Sequence, residues 1–456
     1  MSYGIPKVYE WTKKKLVSVY FLEDLALRAP IFLTIPEPSS DLLISDGSFN
    51  KYSPFIGFTE LRNCYWYWNP KQIQNPLIAI IGAPGGGKSE LIKTMILRLK
   101  KKGFDKPILI VDPEGEYDVV VKQYGEGLVL NIGTEDYVNI LDRPSKEMPY
   151  RLWVTKAVIP GILKALKVTE DQAPLMVRVL ESVIFNVYEN IYRFNPIDKS
   201  TWNKPDPTLS DVVKVLESDV KPYLEGRKKR DVLFRSKLTL LQRLKRWTQG
   251  EGTDFFARPS SVPLTELLKE PIVVFNIKYL PDDAKDVFTY FIFNYFYSLM
   301  EMSEPLPRFG LRLLLVFDEG WILLKKEQGK RESPLSILFR RARKYGFASI
   351  IATQRYKDIS SDILPLVGTV VIFRIRDAEA VRALKESLQM PDRLAKKIPT
   401  LAQGEAIVSV AWRKMQYENA SEPFVVRVLT EVKPVVELIM YRRKSAEIYR
   451  TIRAYR

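Results

Sequence analysis

Residues 76–89, PLIAIIGAPGGGKS, constrain the fold more than any other stretch of the chain. The near-continuous apolar run from Leu77 to Ile81 reads as a strand buried on both faces. It enters Gly82, Ala83, Pro84, Gly85, Gly86, Gly87, Lys88 and Ser89, which fit the spacing G-x-x-x-x-G-K-[ST]. Glycines let backbone N–H groups wrap a phosphate chain without Cβ clashes. Lys88 adds a point charge at the β- and γ-phosphates, and Ser89 is placed to ligate Mg²⁺. Glu90 completes the expected nucleotide-binding set 82–90, and the helix that follows, KSELIKTMILRLKKKG, aims its positive end at the same anion. The segment KPILIVDPEGEY (106–117) then reads as a second buried strand closed by a turn. Strand, helix, strand is a right-handed parallel unit, so the expected fold class is α/β.

Further strands are expected in EPIVVFNI (270–277), LRLLLVFDEG (311–320), FASIIATQ (347–354), TVVIFRI (369–375) and GEAIVSVAW (404–412). NCYWYWNP (63–70) reads as a strand leading into the core. Between 148 and 262 the period turns helical, interrupted by the Pro-rich loop NPIDKSTWNKPDPTLS (195–210). The expected division is a small segment 1–75, a core in two parts (76–147 and 263–430), an inserted all-helical domain (148–262) and a basic C-terminal helix (431–456). The apolar run VFTYFIFNYFYSLM (287–300) is too short to span a bilayer and lies between Asp286 and Glu301, so it reads as a buried helix. The N-terminus lacks a signal-peptide pattern. The expected location is cytoplasmic, with attachment at the inner face of the membrane only through partners.

The chain contains no histidine and one cysteine, Cys64. That excludes a His-based triad, an imidazole proton shuttle, an internal disulfide and a Cys/His zinc site. Catalysis must use Lys, Arg, Asp, Glu, Ser and a metal with oxygen ligands. Asp318 and Glu319 supply such a pair at the end of an apolar run, with Asp318 placed for Mg²⁺ and Glu319 for the attacking water. An ordinary helix cap is the alternative for an Asp at that position. In DPEGEY, Asp112, Glu114 and Glu116 offer a second acidic group near the phosphates, Glu114 first, or else a turn with solvated carboxylates.

The net charge of +16 favours a polyanionic partner, or a Lys/Arg-rich surface of a thermostable protein. Residues 221–246 carry Lys221, Arg227, Lys228, Lys229, Arg230, Arg235, Lys237, Arg243, Lys245 and Arg246 against Glu225 and Asp231, half of that excess. Phosphate contact is one use of such a cluster and a solvated helix face the other. The tail 431–456 is basic as well, with net +4.

Six ordered segments resemble the HerA–FtsK superfamily of DNA-pumping ATPases, above all the ATPases of conjugation and type IV secretion and archaeal HerA. They are the lead-in hairpin and loop from IGFTELRNC to GGGKS, then IVDPEGEY, YVNILDRP (137–144), FDEGW, RKYGFASIIATQ and LAQGEAIV (401–408). The resemblance implies a RecA-like P-loop core, ATP with Mg²⁺, and a hexameric ring. It implies that Gln354 senses the γ-phosphate and that Arg343 is an arginine finger reaching a neighbour's ATP, with Arg374 and Arg376 as rivals. By itself, the sequence around Arg343 reads first as the basic face of one helix with Arg340, Arg341 and Lys344, and it is the resemblance that turns the reading towards a finger. The function it implies is a ring motor that moves DNA for conjugation, import, export or end processing beside a membrane complex or a nuclease. The alternatives are an ATPase that energises a secretion or pilus-like machine without touching DNA, and a viral genome-packaging motor.

Overall fold

The structure is a computed structural model that describes residues 55–59, 65–68, 73–168, 171–226, 232–249, 254–306, 311–324, 339–341, 343–354, 363–411 and 423–428. The expected C-terminal helix, residues 227–231 of the basic cluster and most of segment 1–75 lie outside them.

An 11-stranded sheet organises these residues. Its strands are β1 (Phe55–Thr59), β2 (Tyr65–Tyr67), β3 (Leu77–Ile81), β4 (Ile108–Asp112), β5 (Leu128–Asn131), β6 (Ile272–Asn276), β7 (Leu313–Asp318), β8 (Phe347–Thr353), β9 (Thr369–Ile372), β10 (Glu405–Val410) and β11 (Phe424–Val428). The order is β2-β1-β11-β10-β9-β3-β8-β7-β4-β6-β5. From β9 to β5 every pair is parallel, and β10, β11, β1 and β2 extend the sheet antiparallel. The apolar runs of the sequence are the central parallel strands, buried throughout as strands covered on both faces must be. The sequence reading did not contain β5 or β11, and β2 is only three residues of the expected 63–70 strand.

Period-two alternation divides the core. Ile78 and Ile80 face the side covered by α1 (Lys88–Lys101) and α2 (Asp118–Tyr124). Leu77, Ala79 and Ile81 face the other side, where α8 (Asp282–Glu301) lies. This helix contains the 287–300 run and is buried over most of its length. Phe293 meets Phe317 of β7 and Phe347 of β8 at 6.1 and 5.5 Å between ring centroids.

Between β5 and β6 the chain forms α3 (Tyr150–Trp153), α4 (Ile159–Ala165), α5 (Pro174–Asn186), α6 (Leu209–Leu224) and α7 (Val232–Lys245), with π-helical turns at Val154–Val158 and Val187–Ile191. Thr208 and Asp211 form a capping box that starts α6. These helices share one hydrophobic cluster with α8 and the sheet. Trp153 sits 6.0 Å from Phe291 and 6.1 Å from Tyr295, so the segment deepens the layer over α8.

Candidate nucleotide site

Parallel strands deliver their C-terminal ends to one edge of the sheet, and β3, β4, β7, β8 and β9 all contribute to the site there. The loop 82–87 closes over the end of β3. Gly85 at φ +72 and Gly87 at φ +110 take left-handed backbone, which explains glycine at both. Phe373, just past β9, fills the space beneath the loop: a Cβ on Gly82 would lie 2.7 Å from its Cβ, and one on Gly86 3.1 Å. Gly87 is the N-cap of α1 and no side chain caps that helix, so its first-turn N–H groups point out of the loop.

Lys88 is buried, and its Nζ donates to the carbonyls of Gly82 and Ala83, both at 3.0 Å. Burial lowers its pKa, against the pull of Asp318 and Glu319. Ser89 is half-buried next to it. Glu90 is turned aside, paired with Lys93 at 3.2 Å.

Asp318 ends β7 and accepts a hydrogen bond on Oδ2 from the Tyr117 hydroxyl at 2.9 Å. Glu319 stands at φ +74. The other non-glycine residues at positive φ among those described, Lys167, Arg193 and Gln389, close helices, whereas Glu319 is strained where a strand enters the site. Gly320 fixes this turn. Its N–H donates to the Ala352 carbonyl at 2.8 Å, and a Cβ there would lie 2.7 Å from Phe317 Cβ. The Glu319 carboxylate then accepts from Thr353 Oγ1 at 3.3 Å and from the Gln354 backbone N–H at 3.1 Å. Burial raises the Glu319 pKa, against the Gln354 N–H and Lys88. Gln354 thus meets the site through its backbone, with its side chain exposed.

The second-strand acids take other places. Asp112 is buried and accepts the N–H groups of Glu114, Gly115 and Tyr117 at 3.2, 2.8 and 2.8 Å. Burial raises its pKa, opposed by those donors. Glu114 is exposed, and Glu116 pairs with Lys93 at 3.2 Å. The turn therefore brings Tyr117 to Asp318. The sequence reading weighed only the acids of DPEGEY; the signal overlooked was an aromatic closing an acidic turn after a buried strand. Phe373 and Gly320 were overlooked as well.

Arg343 begins the short 3-10 turn Arg343–Tyr345, before β8, and its side chain lies outside the described residues. That is the opposite end of β8 from the loop, about 20 Å along the strand. The Arg374 carbonyl accepts the Ala83 N–H at 3.1 Å, so Arg374 sits beside its own loop; Arg376 is exposed. In the 221–246 cluster, Lys237 pairs with Asp219 at 2.5 Å, Lys245 with Glu217 at 2.6 Å and Lys221 with Glu225 at 3.9 Å. Arg243 donates to the Leu166 carbonyl at 3.3 Å. Arg235 and Arg246 are exposed.

An uncapped helix start, a buried amine and a hydroxyl–carboxylate pair can hold a phosphate chain with a hard divalent cation. Among the described residues no group of three or more His, Cys, Asp or Glu could hold a metal, so the cation would complete its shell with phosphate and water oxygens. No described helix is long and apolar enough to cross a membrane.

Residues 69–295 match the family described as the helicase HerA central domain. The chain is 24% identical over 307 residues to the DNA import protein CedB of Sulfolobus acidocaldarius, covering 65% of this chain and 43% of CedB. It is 22% identical over 379 residues to the probable DNA double-strand break repair helicase HerA of Methanocaldococcus jannaschii, covering 75% of this chain and 70% of the helicase. The fold is similar to that of VirB4 from Thermoanaerobacter pseudethanolicus, with a TM-score of 0.64 at 19% identity over 84% of this chain and 97% of VirB4. It is also similar to the plasmid coupling protein TrwB in complex with ADP and Mg²⁺, with a TM-score of 0.53 at 14% identity over 83% of this chain and 92% of TrwB. Sequence match, sheet and loop agree: the chain belongs to the HerA–FtsK superfamily of P-loop ATPases.

Proposed function

We propose that the chain hydrolyses ATP as a subunit of a hexameric ring, and that the ring moves DNA. The observation that carries the hydrolytic reading is Glu319: a half-buried carboxylate on strained backbone, oriented by Thr353 and Gln354 at the end of β7, on the same sheet edge as Lys88. Lys88 leaves the Gly82 and Ala83 carbonyls for the β- and γ-phosphates, while first-turn amides of α1 cradle them. Ser89 and Asp318 hold Mg²⁺, which neutralises charge on the phosphate oxygens. Glu319 orients the water that attacks the γ-phosphorus as the bond to ADP breaks, and accepts its proton. Gln354 reports the loss of the γ-phosphate through the N–H it shares with Glu319. Arg343 serves a neighbour's site, since the length of β8 separates it from its own loop.

DNA as cargo draws on the names of the relatives, an import protein and a repair helicase, and on the net charge of +16. The chain spans less than half of CedB, so membrane or nuclease partners are part of this proposal and not of the family assignment. A second reading, an ATPase that energises a secretion machine without touching DNA, is favoured by the ion pairs that engage Lys221, Lys237 and Lys245 with acidic neighbours on the surface of the helical layer.

Steady-state ATP hydrolysis with and without double-stranded DNA tests both. Hydrolysis stimulated by DNA and lost in Lys88→Ala and Glu319→Gln is the expected result. Hydrolysis indifferent to DNA would overturn the DNA motor and leave the second reading.

A further inference from the structure

We infer that Tyr117 is a positioning residue for Asp318: its hydroxyl fixes which carboxylate oxygen is offered to a divalent cation. The inference rests on the proposed nucleotide site and adds to it a residue with no role in binding phosphate.

Tyr117 closes the DPEGEY turn and is fully buried. Its hydroxyl donates to Asp318 Oδ2 at 2.9 Å, which occupies that oxygen and leaves Oδ1 for the cation. A buried phenol needs such a partner, and this one is the proposed metal ligand.

The support is rigid for stated reasons. Asp112 ties down the Tyr117 backbone at 2.8 Å and two further N–H groups of the turn. Lys93 of α1 lies 5.4 Å from the ring centroid and is held there by Glu90 and Glu116, each at 3.2 Å. The turn is anchored outward too: the Ile277 N–H donates to the Asp112 carbonyl at 2.9 Å, and Lys285 to the Pro113 carbonyl at 3.2 Å. Moving the phenol would break bonds on three sides. A ligand carboxylate fixed in this way is already ordered when the cation arrives, and loss of such an outer partner lowers metal affinity about 10- to 100-fold.

The test uses the full chain with Tyr117→Phe, which keeps the ring and removes the hydroxyl. Fluorescent ADP is titrated in EDTA and then against rising Mg²⁺, below the melting temperature of each variant. The expected result is affinity in EDTA within about twofold of the parent, with half-saturating Mg²⁺ raised about tenfold or more. In an Asp318→Asn background the same change should add nothing, because Tyr117 acts through Asp318. Asp112→Asn, which loosens the turn but keeps the hydroxyl, should raise the Mg²⁺ requirement in the same direction and serves if Tyr117→Phe does not fold. An unchanged Mg²⁺ requirement, or an equal rise without Asp318, overturns the inference. A parent chain that binds Mg²⁺ and ADP yet never hydrolyses ATP would overturn the catalytic reading alone, since the titration still decides Tyr117.

Discussion

Glu319 and Lys88 show how one residue's surroundings set its chemistry. Burial pushes the Glu319 carboxyl up and the Lys88 amine down, and each resists the other's shift because they attract across the site. A base must be ionised to orient and deprotonate water, so activity should rise with pH through the raised Glu319 pKa. The acid limb of kcat/KM is therefore expected above the ordinary Glu value of 4.5. Thr353→Val removes a donor that favours the charged form and should move this limb to higher pH. Glu319→Gln should remove the limb and lower kcat by roughly 10²- to 10⁴-fold. A limb at the ordinary carboxylate value, unmoved in Thr353→Val, would assign the base elsewhere. Lys88, Ser89, Asp318 and Glu319 are legible in the sequence because their chemistry is tied to local spacing. Tyr117 and Phe373 are not, because each acts on a residue that only the folded sheet brings near, and the need for glycine at 320 comes from Phe317 and Ile351, which the fold packs against it.

At the scale of elements, a buried polar clamp joins the loop after β5 to the helical layer. Arg143 donates to Asp206 at 2.7 Å and to the carbonyls of Met148 and Trp202 at 3.0 and 2.8 Å. Asp142 accepts from Asn139 at 2.8 Å and Ser260 at 2.6 Å, and burial pushes its pKa up to about 6. The folded pKa lies above the unfolded value of 3.8, so the neutral carboxyl stabilises the fold at low pH. That contribution is lost as pH rises through about 6, where the charged form costs about 1–2 kcal/mol after allowance for solvent access. Asp142→Asn should be the more stable protein at pH 8 by that amount and show a flatter stability profile between pH 4 and about 7 in urea unfolding. Equal slopes in the two proteins would place the titration elsewhere. Elements were legible where burial is complete: β3, β4, β7 and β8 are continuous apolar runs, and α8 is apolar on nearly every face. The short β5, with alternate residues half-buried, and β11, a late partner of β10, owe their pairing to the sheet more than to their own composition. Part of the charge of the basic cluster is balanced by Glu217 and Asp219 on α6, which lie just outside residues 221–246 and so do not show in that stretch of sequence.

At the scale of the whole molecule, the sheet separates the phosphate loop from Arg343. The loop and Glu319 lie at the C-terminal ends of the parallel strands, and Arg343 precedes the N-terminal end of β8. Seven residues of strand, about 20 Å, stand between them, so a finger at Arg343 can act only on a second copy of the chain. The proposed sharing of a site between two copies is therefore measurable. Arg343→Ala and Lys88→Ala should each abolish ATP hydrolysis alone. Mixed in equal amounts and allowed to exchange subunits, they should regain activity at about a quarter of interfaces, those where an intact loop from one subunit faces an intact Arg343 from the other. A mixture as silent as its parents, with exchange confirmed, would place the finger elsewhere. Arg376 is the next candidate, because it is exposed, whereas Arg374 lies against its own loop through the Ala83 contact. Activity in Arg343→Ala alone would show that each loop works without a neighbour's arginine at that position.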